Sequence, residues 1–481
     1  MSDLDLCYLS AAEALARFRA HSLSPLELLD AQIARAEAVE PTVNALAYTF
    51  FEEARAAARK AEAHYMKTDG RTRALEGLTL AVKEDTAVRG RPRTFGSLIF
   101  ADNIADHTNP SVERLMRAGA IVHALTTCPE FVWPWTCTSR LHGVTRNPWN
   151  TQMTCGASSG GAGAAVASGT TTLATGSDSA GSIRMPAAMC GIVGYKPPYG
   201  RNPGSPEVAM DMFFHIGPMT RTAGDAALMQ NVMSGPHPRD HATLPQRLRI
   251  PASLPDVKGM KIAWSMDLGI YAVSKAVQEN TRAAIERLRE AGAILTEIAT
   301  PWADAVYRAA GKWGGMIYAD EFRDAADKHP DLVCDYTRVF ADQNDSVTPR
   351  MFHEAMRAYG AAWAQFGPEL ARYDAFLCPT VGTTTIGADG RDWENPVQVD
   401  GRDVSVQRVV MTFPFNVFSR CPALSVPSGI APDGVPTGLQ IVGNPCDDRA
   451  VFRIGHALER DLALFEGADS RPPCRSAERA A

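Results

Sequence analysis

The order of apolar runs and amphipathic helices predicts an α/β fold, with a central mixed, mostly parallel and twisted β-sheet covered by helices on both faces. Three observations lead there. Short apolar runs of strand length alternate with helical stretches from about residue 77 onward, and glycine punctuates several of the helix–strand joints. Hydrophobic residues make up 45% of the 481 and charged residues 21%, enough for one large core or two smaller ones.

The first elements are helical. Ser10 to His21 reads as a short amphipathic helix, and Ser24-Pro-Leu-Glu27 is a capping box with proline at the first helical position, opening the helix that carries LLDAQIARAEA. A third helix is expected from Phe51 to about Met66. GLTLAVKED (77–85) then reads as a short buried strand that ends in charge. PSVERLMRAGAIVHALTT (110–127) reads as helix, glycine stop at Gly119 and strand. Similar units recur as helix GGAGAAVASG with strand TTTLATGSD, and as strand KIAWSMD (261–267) followed by a helix over Ser274–Ala291 and strand AILTEI. That last helix places Val277, Thr281, Ala284, Leu288 and Ala291 on one face. The segments 234–256 and 385–403, rich in proline or polar residues, read as surface excursions within a single domain spanning 1–481.

Composition excludes several classes of partner. The net charge is −6, with acids and bases interspersed, so nothing marks a nucleic-acid-binding surface. The ten cysteines show no CxxC pair and no metal-like spacing, as expected of free thiols in a reducing compartment. MSDLDLCYLSAAEALARF lacks the basic start of a signal peptide, and no apolar run reaches the length of a membrane span. A cytoplasmic protein without membrane, metal or cofactor is the expectation; oligomeric state is not fixed by the sequence.

The densest chemical signal is residues 154–198, TCGASSGGAGAAVASGTTTLATGSDSAGSIRMPAAMCGIVGYKPP, with nine glycines and six serines. A flexible linker would not be interleaved with AAVA, TLAT and GIVGY, and a phosphate-binding loop would carry Gly-Lys-Ser/Thr. Gly156-Ala-Ser158-Ser-Gly160 fits the nucleophile-elbow pattern, but the preceding RNPWNTQMTC is a poor core strand and the later histidines occupy no distinctive context. What remains is a serine enzyme without histidine. A lysine can take the proton of a serine hydroxyl if burial keeps it neutral, and Lys83, following LTLAV at a strand end, is placed to be carried inward.

These residues resemble the amidase signature hydrolases, a family with a Ser-cisSer-Lys triad. GLTLAVKEDTAVRG is similar to the strand bearing the family's base lysine, TCGASSGG to its Gly/Ser loop, and GSDSAGSIRMPAAMCGIVGYKPP to its nucleophile loop. Ser158 and Ser182 lie 24 positions apart, as in the family. The flanking stretches RLMRAGAIVHALTTCPEF, GPMTRTAGDAA, YDAFLCPT and PALSVPSGIAPDGVPTGLQIVG match in order, so the resemblance covers nearly the whole chain. It implies the amidase signature fold, Ser182 as nucleophile, Ser158 as proton relay and Lys83 as base. It also implies an oxyanion hole from the backbone N–H groups of Ser179, Ala180, Gly181 and Ser182, with Ser159, Asp178 and Arg184 in support, the last two as a buried ion pair.

Two departures stand out. The family has two glycines before the nucleophile, where this chain has Ala180-Gly181, so Ala180 must stay out of positive φ. Glu84 intervenes between Lys83 and Asp85, and its direction is not readable from sequence. Phe131, Trp133 and Trp135 in one segment, and Met210, Phe213 and Phe214 in another, are the expected walls of an apolar pocket. Helices at about 300–370 are the expected cover over it, with the core motifs at 77–200. The expected activity is hydrolysis of small neutral hydrophobic or aryl amides through an acyl-enzyme, extending to carbamates (urethanes). The alternatives are the glutamine-using amidase component of a tRNA-dependent amidotransferase complex and a silent binding protein of the same fold, the latter at odds with the three intact triad positions.

Overall fold

The structure is a computed structural model, and it describes residues 2–67, 71–344, 346–391, 393–462 and 471–474. One sheet of eleven strands organises it. Across the sheet the strands run Leu46–Thr49, Ile121–Thr126, Thr79–Lys83, Leu173–Asp178, His215–Thr220, Val193–Lys196, Ala423–Ile430, Pro436–Gly443, Ala375–Pro379, Lys261–Trp264 and Ile294–Glu297. The α/β class and the mixed sheet are as expected, but the balance of directions is not. The pairings of Thr79–Lys83 with both neighbours and of Lys261–Trp264 with both neighbours are parallel; the other six are antiparallel. Apolar runs of strand length carry no sign of direction, whereas connections do. Ala423–Ile430 and Pro436–Gly443 are joined by a tight APDGV turn in which Gly434 takes φ +80° and Ala431 N–H donates to Val435 O at 2.9 Å, so they must return antiparallel.

Alternate residues of each strand face opposite sides, which sorts the core into layers. Ile262, Leu377, Leu424, Leu439 and Ile441 join one buried cluster with the helices Lys275–Glu290 and Asp448–Leu462. Their neighbours Ala263, Phe376, Cys378, Ala423 and Val442 join another on the opposite face, with Trp302, Tyr359 and Phe366. The other half of the sheet repeats this with unequal side chains. Leu80, Val82, Leu125 and Leu173 pack on one side. On the other, Ala81 and Ala174 meet the helix Gly160–Ser168, whose residues are all buried.

The expected helices are found with their caps. Ser24 and Glu27 form the capping box of Pro25–Val43, Ser10 caps Ala11–Arg19, and Ser274 caps Lys275–Glu290, which buries Val277, Thr281, Ala284 and Leu288. The segment before Ser158 is irregular, in keeping with its polar sequence. Residues 234–256 contain no helix or strand, while 385–403 does more than cross the surface, because Val397 and Val399 are buried in a small hairpin with Arg402–Val404.

The helices of the 300–370 region are fastened by two carboxylates. Glu130 is fully buried and accepts from Cys334 N–H at 2.7 Å, from Ser97 Oγ at 3.1 Å and from Thr337 Oγ1, holding the start of Asp335–Asn344. Asp211 accepts from Trp313 Nε1 at 3.2 Å and from the Tyr318 hydroxyl, both on Lys312–Lys328. Replacing Glu130 with Ala strands the buried donors of Cys334 and Thr337, and should lower stability by about 2–3 kcal/mol. A shift of the denaturation midpoint by less than a quarter of that would show that water reaches these donors at little cost.

Candidate active site

Thr79–Lys83 and Leu173–Asp178 are adjacent and parallel, with Leu80 paired to Leu173 and Ala81 to Ala174. Both strands therefore end on the same side of the sheet, and Lys83 emerges beside Ser177 and Asp178. Gly160–Ser168 packs on the face of these strands that carries Ala81 and Ala174, with its N-terminus at this end. Its close seat needs glycine: a Cβ on Gly161 would sit 2.4 Å from Thr127 Oγ1 and 2.6 Å from Ala45 O. That seat brings Ser158 and Ser159, just before the helix, down to the strand ends.

There Lys83 Nζ donates to Ser158 Oγ at 2.8 Å and to Ser177 Oγ at 2.7 Å. The peptide bond between Ala157 and Ser158 is cis. Lys83, Ser158, Ser159 and Ser177 are buried, while Ser179, Ala180 and Ser182 are only partly so. Ser159 stitches the two serine loops together. Its N–H donates to Ser182 O at 3.1 Å, and its hydroxyl lies 3.2 Å from both the N–H and the carbonyl of Ser177.

The turn from Ser179 to Ser182 resolves the first departure. Gly181 takes φ +132°, with no room for a Cβ, which would lie 1.9 Å from Thr412 Oγ1; Ala180 keeps negative φ. Gly181 does not offer its N–H to a substrate, however, because it donates to Asp178 Oδ1 at 2.8 Å. The N–H groups of Ser179, Ala180 and Ser182 carry no hydrogen bond among the described residues. Of the four N–H groups expected to form an oxyanion hole, that of Gly181 is thus already bonded within the protein.

Asp178 and Arg184 form a buried bidentate pair, Nε to Oδ2 and a terminal nitrogen to Oδ1, both at 3.0 Å. Arg184 also donates to Thr412 O at 2.9 Å and to Gln440 Oε1 at 3.0 Å, and Asn416 Nδ2 donates to Asp178 Oδ1 at 2.8 Å. Burial by itself would raise the Asp178 pKa, but the Arg184 charge and these hydrogen bonds outweigh it and hold the carboxyl well below the usual range. His215, whose Nδ1 lies 3.0 Å from Asp178 O, is pushed down to about 3 by burial, so it stands neutral beside the loop.

Glu84 points away from Lys83. Its carboxylate is buried and accepts from Thr94 N–H at 2.6 Å, Gly96 N–H at 3.2 Å and Cys128 Sγ at 3.3 Å. The second departure is thus neutralised, and it is Asp85 that faces the lysine, at 3.0 Å.

The expected pocket residues divide. Phe213 is buried, with its ring 4.5 Å from that of Trp313 and 6.1 Å from that of Phe413, and its carbonyl accepts from Asn416, one residue removed from Asp178. Trp135 packs against the cluster that contains Met185, Val381 and Val410. Phe131 and Trp133 instead pack on Phe322 and Phe340, against the helices Lys312–Lys328 and Asp335–Asn344. Phe214 is partly exposed, and Met210, 76% exposed, forms no wall. A groove of about 650 Å³ lined by Asp267, Leu268, Glu297 and Asp304 lies toward the other end of the sheet and includes none of these side chains.

Four residues at the site escaped sequence reasoning. In the sequence Asp85 is only the residue after Glu84, and nothing distinguishes Ser177 within its motif from a turn residue. Thr412 and Asn416, in the uncharged MTFPFNV, lie more than two hundred positions from Ser182 and carry no sequence signal.

The sequence pattern of the family described as Amidase matches residues 27–452, and with this sheet and lysine–serine cluster it defines a hydrolase of amide C–N bonds. The chain belongs to that family, the amidase signature enzymes. It is 33% identical to an acylamidase of Rhodococcus erythropolis over 98% of both chains. It is 31% identical to a glutamyl-tRNA(Gln) amidotransferase subunit of Chloroflexus aggregans, over 95% of this chain and 97% of that one. Among solved structures, a bacterial aryl acylamidase of the amidase signature family superposes with a TM-score of 0.89 at 26% identity, covering 98% of this chain and 99% of the other. A 6-aminohexanoate cyclic dimer hydrolase complexed with substrate gives 0.83 at 27% identity with the same coverage. Among the described residues no helix is long and apolar enough to cross a membrane.

The Asp178 pair sets a pH dependence. Its folded pKa lies below the unfolded value of about 3.9, so the unfolded chain takes up the proton first. Its stabilisation is present above that value and is lost as pH falls through the range beneath it. Asp178→Asn should flatten the acid-side fall of unfolding free energy relative to the native chain, and Arg184→Met, which leaves the carboxylate buried and unpaired, should cost about 3–5 kcal/mol near neutral pH. Parallel acid-side slopes for the native chain and Asp178→Asn in denaturant titrations would refute the assignment.

Proposed function

We propose that this single-domain amidase cleaves neutral, hydrophobic or aryl amides through an acyl-enzyme on Ser182, with Ser158 relaying protons to and from Lys83. The observation that carries the reading is the 2.8 Å contact between the buried Lys83 amine and the hydroxyl of Ser158, on a loop joined to the Ser182 carbonyl by the Ser159 N–H. Ser182 Oγ attacks the carbonyl carbon, and its proton passes to Ser158, which hands its own to Lys83. The unpaired N–H groups of Ser179, Ala180 and Ser182 are the donors for the oxygen that becomes negative. Lys83 then returns a proton through Ser158 to the departing nitrogen, whose poor leaving ability is the chief obstacle in amide cleavage.

The apolar substrate class is supported by Phe213, Trp313 and Phe413 beside the nucleophile loop, by Trp135 near Met185, and by the similarity to acylamidases along nearly the full chain. Carbamates of aryl amines fit the same donors and the same leaving group. We place the enzyme in the cytoplasm, acting on small molecules, with the 300–370 helices as cover over the pocket. The likeness to the amidotransferase of Chloroflexus aggregans favours glutamine as the alternative substrate.

Ser182→Ala should abolish both turnover and covalent labelling by a serine-directed fluorophosphonate, while Ser158→Ala and Lys83→Ala should lower both by orders of magnitude with the fold retained. Label found on Ser158 by peptide mass spectrometry would remove Ser182 from its role. In a panel of an acyl nitroanilide, an aryl carbamate, a short aliphatic amide and glutamine, the first two should be turned over fastest. Ammonia from glutamine without aniline from the nitroanilide would replace this reading with the amidotransferase one.

A further inference from the structure

Asp85 stands outside the serine–lysine relay, yet it meets Lys83 directly. Its Oδ2 lies 3.0 Å from Lys83 Nζ and accepts from Ser177 Oγ at 2.6 Å, and Ser177 Oγ itself accepts from Lys83 Nζ at 2.7 Å. Amine, hydroxyl and carboxylate thus close a ring of contacts that leaves one further direction on the nitrogen, the one taken by Ser158. An ammonium group has three N–H donors, and here three acceptors surround it: Ser158 Oγ, Ser177 Oγ and Asp85 Oδ2. Thr86 Oγ1 donates to Asp85 Oδ1 at 2.8 Å and fixes the carboxylate plane. Lys83, Ser177 and Asp85 are all buried, so little water competes for these contacts.

We propose that Asp85, directly and through Ser177, is a positioning residue that aims Lys83 at Ser158 and stabilises the positive charge Lys83 acquires as it accepts the proton. The inference rests on the reading of Ser182, Ser158 and Lys83 given above. As the C–O bond to Ser182 forms, the Ser182 O–H bond breaks, Ser158 takes that proton, and the proton Ser158 gives up forms the new N–H bond on Lys83. Asp85 remains a carboxylate throughout, so positive charge develops 3.0 Å from a fixed negative one. When the C–N bond breaks, a proton returns from Lys83 through Ser158 to the leaving nitrogen, and water then hydrolyses the ester left on Ser182.

The neighbouring ionisable groups single Asp85 out. Glu84 is turned to Thr94, Gly96 and Cys128, and His142 Nε2 faces Glu84 Oε1 at 3.9 Å rather than Lys83. Burial pushes the Cys128 thiol well above its usual range, so it adds no charge. Burial would raise the Asp85 pKa, but Lys83 once it carries the proton, together with the Ser177 and Thr86 hydroxyls, outweighs it and holds the carboxyl below its ordinary value.

The experiment measures fluorophosphonate labelling and acyl nitroanilide hydrolysis from acidic to alkaline pH for the wild type, Asp85→Asn and Asp85→Glu. Asp85→Asn should move the acid limb of both profiles to lower pH by about one unit or more, and lower the alkaline plateau at least about tenfold, because the countercharge is gone. Asp85→Glu keeps the charge, so its acid limb should stay at the wild-type position while its plateau falls. A profile for Asp85→Asn that is merely scaled down without displacement, or a displaced limb in Asp85→Glu, overturns the inference. If Asp85→Asn does not fold, the position of the Asp85→Glu limb decides alone. A wild type that is neither labelled nor active sinks the Ser182 reading itself, a result distinct from any difference among the Asp85 variants.

Discussion

The layer of small side chains beneath Gly160–Ser168 sets how near the serine loop can come to Lys83. Ala81 and Ala174 on the strands, and Ala162, Ala164 and Ala165 on the helix, belong to one buried cluster. Larger residues there would lift the helix from the sheet, and a Cβ on Gly161 would already collide with Thr127. A contact of 2.8 Å between Lys83 and Ser158 tolerates no such lift. The sheet shows the same asymmetry, with leucine and valine from these strands facing away and alanine facing the site. What composition presents as flexibility is in fact close packing.

A second constraint ties this half of the molecule to the other. Arg184 reaches Thr412 and Gln440, and Asn416 reaches Asp178 and Phe213, so the turn bearing Ser182 is held by residues from three distant parts of the chain. The Asp178–Arg184 pair has no solvent access, and the remaining Arg184 donors reach Thr412 O, Gln440 Oε1 and Asn416 Oδ1. Such a network gives little net stability over an apolar replacement, but it leaves the turn a single arrangement. That arrangement directs the Gly181 N–H inward and leaves its neighbours' N–H groups unpaired.

Much of this was legible in the sequence because it depends on local chemistry. The capping box at Ser24, the helices beginning near Ser10 and Ser274, the buried face of Lys275–Glu290 and the strand ending at Lys83 all follow from side chains a few residues apart. Strand direction did not follow, because apolar runs look alike in either sense. Nor did the Gly181 N–H bond to Asp178, which depends on backbone geometry within one turn. Thr412 and Asn416 were unreadable for a different reason: a neutral polar residue in an apolar stretch shows its role only when the fold supplies its partner. Phe131 and Trp133 were recognised as an apolar cluster, but composition could not distinguish a wall facing substrate from one facing helices.

The helices of the 300–370 region are held to the site without sharing its packing. Glu130, in the helical turn Glu130–Val132, receives donors from Cys334 and Thr337 at the start of Asp335–Asn344, and Asp211 receives them from Trp313 and Tyr318 on Lys312–Lys328. Trp313 also stacks on Phe213, which is bonded through Asn416 to Asp178. The position of Lys312–Lys328 is therefore referred back to the Ser182 turn through two short chains of contact, one polar and one aromatic. Side chains on that helix can change without disturbing the Ser182 turn, provided Trp313 and Tyr318 keep their hold on Asp211. The fold thereby ties this helical region to the Ser182 turn without placing its side chains among Lys83, Ser158 and Ser177.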